Sequence, residues 1–206
     1  MAWDPFNDYR KNGYLQNIHR LPLGNDLKQL EHEDYMAFLP DALLYLSECV
    51  SPSYADLLEV HKILFEGLYP TWAGKDRDEL TPHDNVRKGN TIFCEPHNLR
   101  KAFEIGLKAQ TLGQQLGHWA YTHPFLDGNG RAIFTFFDDH VRRSGFVVQW
   151  HQLDTTQFLT ALSHQIYRPD ASALDNVLQP CLMSLPLNYN HKNSALLNIA
   201  WSKKKI

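Results

Sequence analysis

Nine consecutive residues, HPFLDGNGR at 123–131, bring together the residue types that can carry chemistry in this chain. His123 can accept a proton near neutral pH. The carboxylate of Asp127, four residues later, can bind a hard cation such as Mg²⁺. Gly128 and Gly130 allow successive backbone N–H groups to point into one concavity, and such a concavity binds phosphate oxygens. This combination indicates a phosphoryl or nucleotidyl transfer site.

A helix end and two side chains strengthen the expectation of an anion site. A helix is predicted to begin at about Gly130, so its positive N-terminal end faces the same place. Asn129 and Arg131 add side-chain donors for phosphate oxygens. A calcium loop is an alternative interpretation of Asp-Gly-Asn-Gly, but its glutamate position is Asp138, within an apolar helix. We therefore predict a site for a nucleotide rather than for calcium.

Two apolar helices must hold this loop in place. One follows Pro96, and Pro124 disfavours helix at His123, where that periodicity stops. The other runs from about Gly130 to near Gly145. Apolar residues at helical spacing mark the first helix: Leu99, Phe103, Leu107, Leu112, Leu116 and Trp119. The pattern predicts that the loop joins two packed helices.

Helical spacing also dominates the N-terminal half. An irregular arm over residues 1–24 is followed by apolar helical spacing, in which Pro40 marks a break or the first turn of a second helix. Ser53 is a predicted cap for the next helix, which should end before Pro70. A loop with a small β-hairpin is predicted next, since turn signals precede the apolar run Thr91–Phe93.

The C-terminal part is predicted to contain a short extended piece at residues 147–148 and two helices, over Thr155–Tyr167 and Ser172–Leu185. The chain as a whole is therefore predicted to be mainly α.

Composition limits the function classes. The chain has 206 residues, of which 43% are hydrophobic and 21% charged, as in a soluble globular protein. A net charge of -3 gives no general reason to expect nucleic acid as a partner. Three separated cysteines indicate neither a disulfide framework nor a zinc site, so a reducing cytoplasm fits best. No apolar run is long enough for a membrane span, and no membrane partner is expected.

Three segments resemble the Fic family. HPFLDGNGR at 123–131 closely resembles the family signature H-P-F-x-D-G-N-G-R, and YPTWAGKDR at 69–77 is similar to Y-P-W-A-G-K-x-R with one inserted residue. The hairpin ending at Phe93–Pro96 stands where the family has its flap. The resemblance extends from about Tyr54 to Leu182. It implies one mainly helical Fic-type domain over 25–206, with a β-hairpin flap at about 84–96 and a catalytic loop at 123–131.

The resemblance also implies an activity: transfer of AMP from ATP to a Ser, Thr or Tyr hydroxyl of a target protein, with Mg²⁺ as cofactor. Implied partners are the target protein and a separate inhibitory antitoxin, and the implied location is the cytoplasm, including that of another cell into which the chain is delivered. The implied site residues are His123 as general base, Asp127 as metal ligand, Phe125 as buried anchor, Gly128, Asn129, Gly130 and Arg131 around the phosphates, and Ile92 and Phe93 in target docking.

The sequence departs from the family pattern at one functional position. The family signature continues R-x-x-R, and its second arginine contacts the γ-phosphate, whereas this chain has Phe134. The inhibitory motif [S/T]-x-x-x-E-[G/N], whose glutamate pairs with that arginine, is also missing from the sequence. Three interpretations stay open: an adenylyltransferase, a transferase with another nucleotide or diphosphate-linked donor, and a non-catalytic regulator. Cations that could replace the arginine are Lys75, Arg77, Arg142 and Arg143.

Overall fold

The computed structural model describes residues 17–81, 83 and 85–185. Its α-helices are α1 Asn25–Glu48, α2 Tyr54–Phe65, α3 Arg77–Leu80, α4 Leu99–Leu107, α5 Leu112–Thr122, α6 Asn129–Arg143, α7 Thr155–Tyr167 and α8 Ala173–Leu178. Two antiparallel strand pairs join them, β1 Arg87–Lys88 with β2 Thr91–Ile92 and β3 Phe146–Val148 with β4 Leu182–Ser184. The predicted mainly α fold with a small hairpin is confirmed. Among the described helices, none is both long and apolar enough to cross a membrane.

Helix α6 lies at the centre of the fold, where it packs against α1, α2 and α5. A helix buried on most faces must satisfy its polar side chains inside the protein. Accordingly, Trp150 Nε1 donates to Asp138 Oδ1 at 3.1 Å, and Thr135 Oγ1 donates to the carbonyl of Arg131 at 2.8 Å. The buried apolar residues of α6 are Ala132, Ile133, Phe134, Phe136, Phe137 and Val141. This packing holds the N-terminus of α6 in place at the end of the 123–131 loop.

Helix α1 continues through Pro40, so the predicted break there is wrong. A proline inside a helix removes one backbone hydrogen bond and costs about 3 kcal/mol. The helix buries Leu39 directly before the proline and Leu43 one turn after it, and it packs against α2 and α6. Tertiary packing therefore outweighs the local penalty.

Two other predicted helices have different bounds in the structure. The stretch from Leu99 to Trp119 is divided, because Lys108 and Ala109 donate to carbonyls one turn back and Thr111 Oγ1 accepts from Gln114 N at 3.2 Å to begin α5. The prediction for Ser172–Leu185 is too long, since β4 pairs with β3 instead of continuing the helix. Pairing between distant segments is not visible in local periodicity.

Several local predictions are confirmed. Helix α7 has the predicted bounds Thr155–Tyr167, and residues 147–148 lie in β3. Ser53 caps α2, where its N–H and Oγ donate to Asp56 Oδ2 at 2.8 and 2.7 Å. Residues 1–16 of the predicted arm lie outside the described residues, and the boundary at residue 24 stays a prediction.

Candidate active site

His123 closes helix α5 in a left-handed backbone conformation, with φ 44° and ψ 58°. The following Pro124 disfavours helical backbone at this position, and the predicted helix end is confirmed. A left-handed conformation costs a residue other than glycine about 1–2 kcal/mol. Neighbouring contacts must therefore hold the backbone of His123.

Arg77 supplies those contacts from a buried position. Its Nε donates to the carbonyl of His123 at 2.8 Å, and its backbone N–H donates to the carbonyl of Pro124 at 2.8 Å. Its Nη2 donates to the carbonyls of Cys94 at 2.6 Å and Thr122 at 3.4 Å. Arg77 thus joins the base of the flap to the catalytic loop, and it is not placed to replace a phosphate-binding arginine.

The side chain of His123 is neutral and covered by the flap. Its ring stacks on that of Phe93, with 3.8 Å between centroids and 14° between planes. Its Nε2 is buried and makes no hydrogen bond within the described part of the chain. Burial holds the pKa of His123 well below its ordinary value, and the positive charges of Arg77 and Lys88 lower it further. A neutral imidazole is the form that can accept a proton.

The loop after His123 is closed by its own side chains. Asn129 Oδ1 accepts the backbone N–H of Phe125 at 2.8 Å, and Asn129 Nδ2 donates to the carbonyl of Phe125 at 2.7 Å. Both polar groups of the Asn129 side chain are used in these bonds. A contact between Asn129 and a phosphate would therefore come from its backbone N–H or from the second N–H of Nδ2.

Gly128 is the N-cap of α6 and has φ 74°. A Cβ at this position would lie 2.6 Å from two carbons of the Phe65 ring and 3.2 Å from His61 Nε2. The backbone N–H of Gly128 donates to Asp127 Oδ1 at 2.6 Å. The glycine is therefore needed for close packing of the loop onto α2, in addition to any role beside a ligand.

The first turn of α6 is a site that can bind an anion. The first N–H groups of a helix have no acceptor within the helix, and the helix dipole favours negative charge there. Within residues 17–81, 83 and 85–185, no side chain caps this N-terminus. Gly130 is exposed, and the nearest atom to a Cβ there would be Phe134 Cε2, at 3.8 Å. A phosphate group can approach the backbone closely at this point.

Arg131 is bound to helix α1. Its guanidinium lies over the ring of Phe65, with Cζ 4.5 Å from the centroid. Nη1 donates to the carbonyl of Glu31 at 3.2 Å, and Nη2 forms an ion pair with Glu31 Oε2 at 3.4 Å. Tyr69 Oη donates to the other carboxylate oxygen of Glu31. Burial raises the pKa of Glu31, while Arg131 acts in the opposite direction.

The flap carries the two predicted docking residues on different sides. Strands β1 and β2 pair through Arg87 with Ile92 and Lys88 with Thr91. Ile92 is 59% exposed, whereas Phe93 is buried against His123. Ile92 thus faces solvent, and Phe93 covers the ring of His123.

Residues 51–139 match the model of the Fic/DOC family. The match covers less than half of the 206 residues and identifies a Fic/DOC-family segment within the chain. The match includes both 69–77 and 123–131, so the predicted family is confirmed. A curated relative, protein adenylyltransferase VbhT of Bartonella schoenbuchensis, is 26% identical in an alignment of 141 residues that covers 63% of this chain and 29% of the relative. The chain therefore spans less than a third of that relative's length.

Solved Fic-domain structures share the fold. The BepC protein of Bartonella tribocorum, with bound AMPPNP, has a TM-score of 0.64 at 17% identity and covers 82% of this chain and 92% of its own. An N-terminal Fic domain from Bartonella quintana, with bound ADP, has a TM-score of 0.61 at 16% identity and covers 92% of this chain and 96% of its own.

Phe134, where the Fic signature has its second arginine, is a core residue. Its ring lies 5.7 Å from that of Trp150 and 5.6 Å from that of Phe158, and it is 9% exposed. The candidate replacement cations are engaged elsewhere. Lys75 pairs with Glu79 at 3.4 Å, and Arg142 and Arg143 both pair with Asp139 near the other end of α6. No described contact places any of them at the N-terminus of α6.

Two residues beside this Fic site were missed by the sequence analysis, Glu31 and His61. Glu31 reaches Arg131 across 100 positions of the chain. His61 lies on α2 among apolar neighbours, where Nδ1 accepts the N–H of Gly74 at 2.9 Å and Nε2 lies 3.1 Å from the carbonyl oxygen of Asp127. Burial lowers the pKa of His61 to about 3. The sequence signal for His61 is its position between Val60 and Ile63, among apolar residues at helical spacing.

Proposed function

We propose that this chain is a protein adenylyltransferase, which transfers AMP from ATP to a Ser, Thr or Tyr hydroxyl of a target protein. The observation that carries the proposal is the neutral, buried Nε2 of His123 on the same short loop as the uncapped N-terminus of α6. The relative named a protein adenylyltransferase supports the reaction class. Neighbours described with bound AMPPNP and ADP support an adenine nucleotide as the donor.

His123 would act as general base in this reaction. The target hydroxyl oxygen attacks the α-phosphorus of ATP and forms a new P–O bond. The bond between the α-phosphorus and the bridging oxygen breaks, and pyrophosphate leaves with that electron pair. Nε2 of His123 takes the hydroxyl proton. The lowered pKa keeps the imidazole neutral at neutral pH, and in the tautomer with its hydrogen on Nδ1 the lone pair of Nε2 can accept the proton.

The start of α6 would stabilise the negative charge on the phosphates. The backbone N–H groups of residues 129–131 lie in the first turn of α6. They and the positive end of the helix dipole would face a bound phosphate. Arg131 adds a cation, but its guanidinium is paired with Glu31. A bound phosphate would compete with Glu31 for that cation, which makes the Glu31–Arg131 pair a determinant of nucleotide affinity.

Asp127 would hold Mg²⁺ together with the nucleotide. Mg²⁺ in nucleotide enzymes is bound by one or two carboxylates plus phosphate oxygens. Among the described residues, no group of three or more His, Cys, Asp or Glu side chains could hold a metal alone. Asp127, a single carboxylate beside the N-terminus of α6, is consistent with a metal ion that binds as a complex with the nucleotide. When bound, Mg²⁺ would neutralise charge on the phosphates.

The aromatic packing of Phe134 favours a second candidate donor. A donor that presents no γ-phosphate, such as a diphosphate-linked metabolite, would not need a cation at this position. Phe134 packs with Trp150 and Phe158 instead of presenting a cation to a terminal phosphate. The reaction at the α-phosphorus would be the same, with a different leaving group.

We extend the proposal to location. All three cysteines are free thiols, two of them buried, as suits a reducing compartment. Several structural neighbours are described as VirB-translocated effectors of Bartonella. The chain would act in a cytoplasm, its own or that of a cell into which it is delivered.

Labelled nucleotides test the proposed function. The protein is incubated with Mg²⁺, a cell lysate and ATP labelled at either the α- or the γ-phosphate, and in parallel with α-labelled CTP, GTP and UTP. We expect label on protein from α-labelled ATP and none from γ-labelled ATP. Transfer from CTP, GTP or UTP alone would show a transferase whose donor is a nucleotide other than ATP. No transfer from any donor by a protein that binds ATP would favour the regulator.

A variant of the base separates chemistry from binding. His123→Ala should abolish transfer, while ATP affinity changes by less than about threefold, because a base contributes little to ground-state binding. Equal loss of binding and transfer in a folded variant would contradict the assignment of His123.

A further inference from the structure

His61 lies between helix α6, the segment 69–77 and the loop 123–131. Its helix, α2, packs against α6. Nδ1 accepts the backbone N–H of Gly74, in the segment 69–77, at 2.9 Å. Nε2 lies 3.1 Å from the carbonyl oxygen of Asp127, in the catalytic loop. One imidazole ring therefore bridges the two segments that characterise the family in this sequence.

The partners determine which nitrogen carries the proton. A backbone N–H can only donate, so Nδ1 must present its lone pair to Gly74. A neutral imidazole then carries its hydrogen on Nε2. A carbonyl oxygen can only accept, so Nε2–H donates to Asp127. Both bonds are satisfied by one tautomer, and they would both fail in the other.

Packing fixes the ring as well as its hydrogen bonds. The ring of His61 stacks on that of Phe125, with 3.7 Å between centroids and 14° between planes. The ring of Phe65 lies 4.7 Å away on the same helix. A Cβ at Gly128 would come within 3.2 Å of Nε2. His61 thus contacts Phe125 and Asp127 and lies beside Gly128, whereas the proposed base is His123.

We propose that His61 is a positioning residue, whose Nε2–H bond to the carbonyl of Asp127 holds the Asp127 carboxylate and the start of α6 in place for metal and phosphate. This inference rests on the proposed function for its consequence, since Asp127 is the proposed Mg²⁺ ligand. The effect of His61 on the conformation of the loop can be measured without any reaction. Residues that orient a metal ligand typically change metal affinity about 10–100-fold when they are replaced.

Two amide variants separate the two hydrogen bonds of His61. In His61→Asn, the side-chain oxygen can take the place of Nδ1 and accept from Gly74, but the shorter side chain ends before Asp127. In His61→Gln, the longer side chain can place an N–H group where Nε2 lies. His140→Asn is the matched control, because Nε2 of His140 lies 2.8 Å from Gln115 Oε1, away from the loop.

The first measurement is hydrogen exchange of the backbone amides at 125–130, followed by mass spectrometry without nucleotide. His61→Asn should speed exchange there by about tenfold, in line with the loss of one hydrogen bond. His61→Gln should restore most of the protection, and His140→Asn should leave this segment unchanged. Wild-type exchange at 125–130 in folded His61→Asn would overturn the proposal, and so would equal acceleration along the whole chain.

The second measurement is the Mg²⁺ concentration that half-saturates ATP binding. We expect it to rise about tenfold in His61→Asn and much less in His61→Gln. An unchanged Mg²⁺ requirement in His61→Asn would overturn the link to the metal. If the wild type shows no Mg²⁺-dependent ATP binding, the proposed function fails, and the exchange measurement still judges the role of His61 in the loop.

A measurement on the wild type covers the case in which His61→Asn does not fold. Nitrogen-15 NMR of the imidazole distinguishes the two neutral tautomers. We expect the hydrogen of His61 on Nε2 in the folded protein. A hydrogen on Nδ1 would overturn the proposal, because Nε2 could then donate nothing to Asp127.

Discussion

Phe93 lies flat on His123, with 3.8 Å between ring centroids and an angle of 14° between the planes. Phe93 follows strand β2, and its backbone N–H donates to the carbonyl of Val86 at 3.0 Å, so the hairpin sets its position. A hydroxyl can reach Nε2 of His123 only when the side chains that cover it move. The flap therefore controls both the access to the proposed base and its protonation.

Removing the Phe93 ring should change the pH dependence of transfer. Burial is the main cause of the lowered pKa of His123, so Phe93→Ala should raise that pKa toward its ordinary value of 6.5. The wild type should keep its rate as the pH falls below 6.5, because its base stays unprotonated. Phe93→Ala should lose up to about tenfold by pH 5.5. The measurement is kcat/KM against pH.

Ile92→Ala is the control for Phe93→Ala, since Ile92 is the adjacent flap residue and is 59% exposed. It should leave the acid side of the pH profile unchanged. Identical acid limbs for Phe93→Ala and the wild type would show that the stack does not set the pKa of His123.

Alanine at the two loop glycines should separate folding from binding. Gly128→Ala adds a Cβ 2.6 Å from the Phe65 ring at φ 74°. It should destabilise the protein by about 2 kcal/mol or more. Gly130→Ala meets only Phe134 at 3.8 Å, so stability should be unchanged or about 1 kcal/mol higher. Its methyl group should nevertheless weaken ATP binding, because a phosphate is proposed to approach there.

Thermal denaturation and ATP titration of both glycine variants check this prediction. ATP affinity of Gly130→Ala equal to that of the wild type would place the phosphates away from the first turn of α6.

Restoring the family arginine at position 134 should not restore a phosphate contact. Phe134→Arg places a cation among Trp150 and Phe158 and removes a buried ring, which should cost about 3–5 kcal/mol. We expect a lower melting temperature and no gain in ATP affinity over ADP. Phe134→Leu, as control, should cost less than about 1.5 kcal/mol. A stable Phe134→Arg protein with tighter ATP binding would show that the side chain can turn toward the nucleotide.

Neutralising Glu31 should strengthen nucleotide binding. In Glu31→Gln the ion pair to Arg131 Nη2 is lost, whereas the bond from Nη1 to the backbone carbonyl of residue 31 stays, so Nη2 becomes available to a phosphate. ATP affinity should rise about tenfold, the lower end of the scale of about 1.5–3 kcal/mol for a hydrogen bond to a charged group. Calorimetric titration measures it, with Glu33→Gln as control, since Glu33 is exposed on the same helix. An unchanged affinity would mean that Arg131 does not leave Glu31 for the nucleotide.

Features that depend on neighbouring residues could be predicted before the fold was known. Pro124 disfavours helix at His123, so α5 ends there as predicted. The turn at Gly89 and the apolar run after it are enough to predict the flap hairpin. The two motif segments at 69–77 and 123–131 were sufficient to identify the family, which the family match confirms.

The contacts that orient these motifs join distant segments and could not be predicted from residue spacing. The bond from His61 to Asp127 spans 66 positions, and the Arg131–Glu31 contact spans 100. Helix α1 continues through Pro40 because packing against α2 and α6 outweighs the local cost of the proline. Hydrogen bonds and packing act between atoms that are close in space. Residue spacing predicts such contacts only within one helix, strand or turn. Contacts between distant segments are known only from the folded structure.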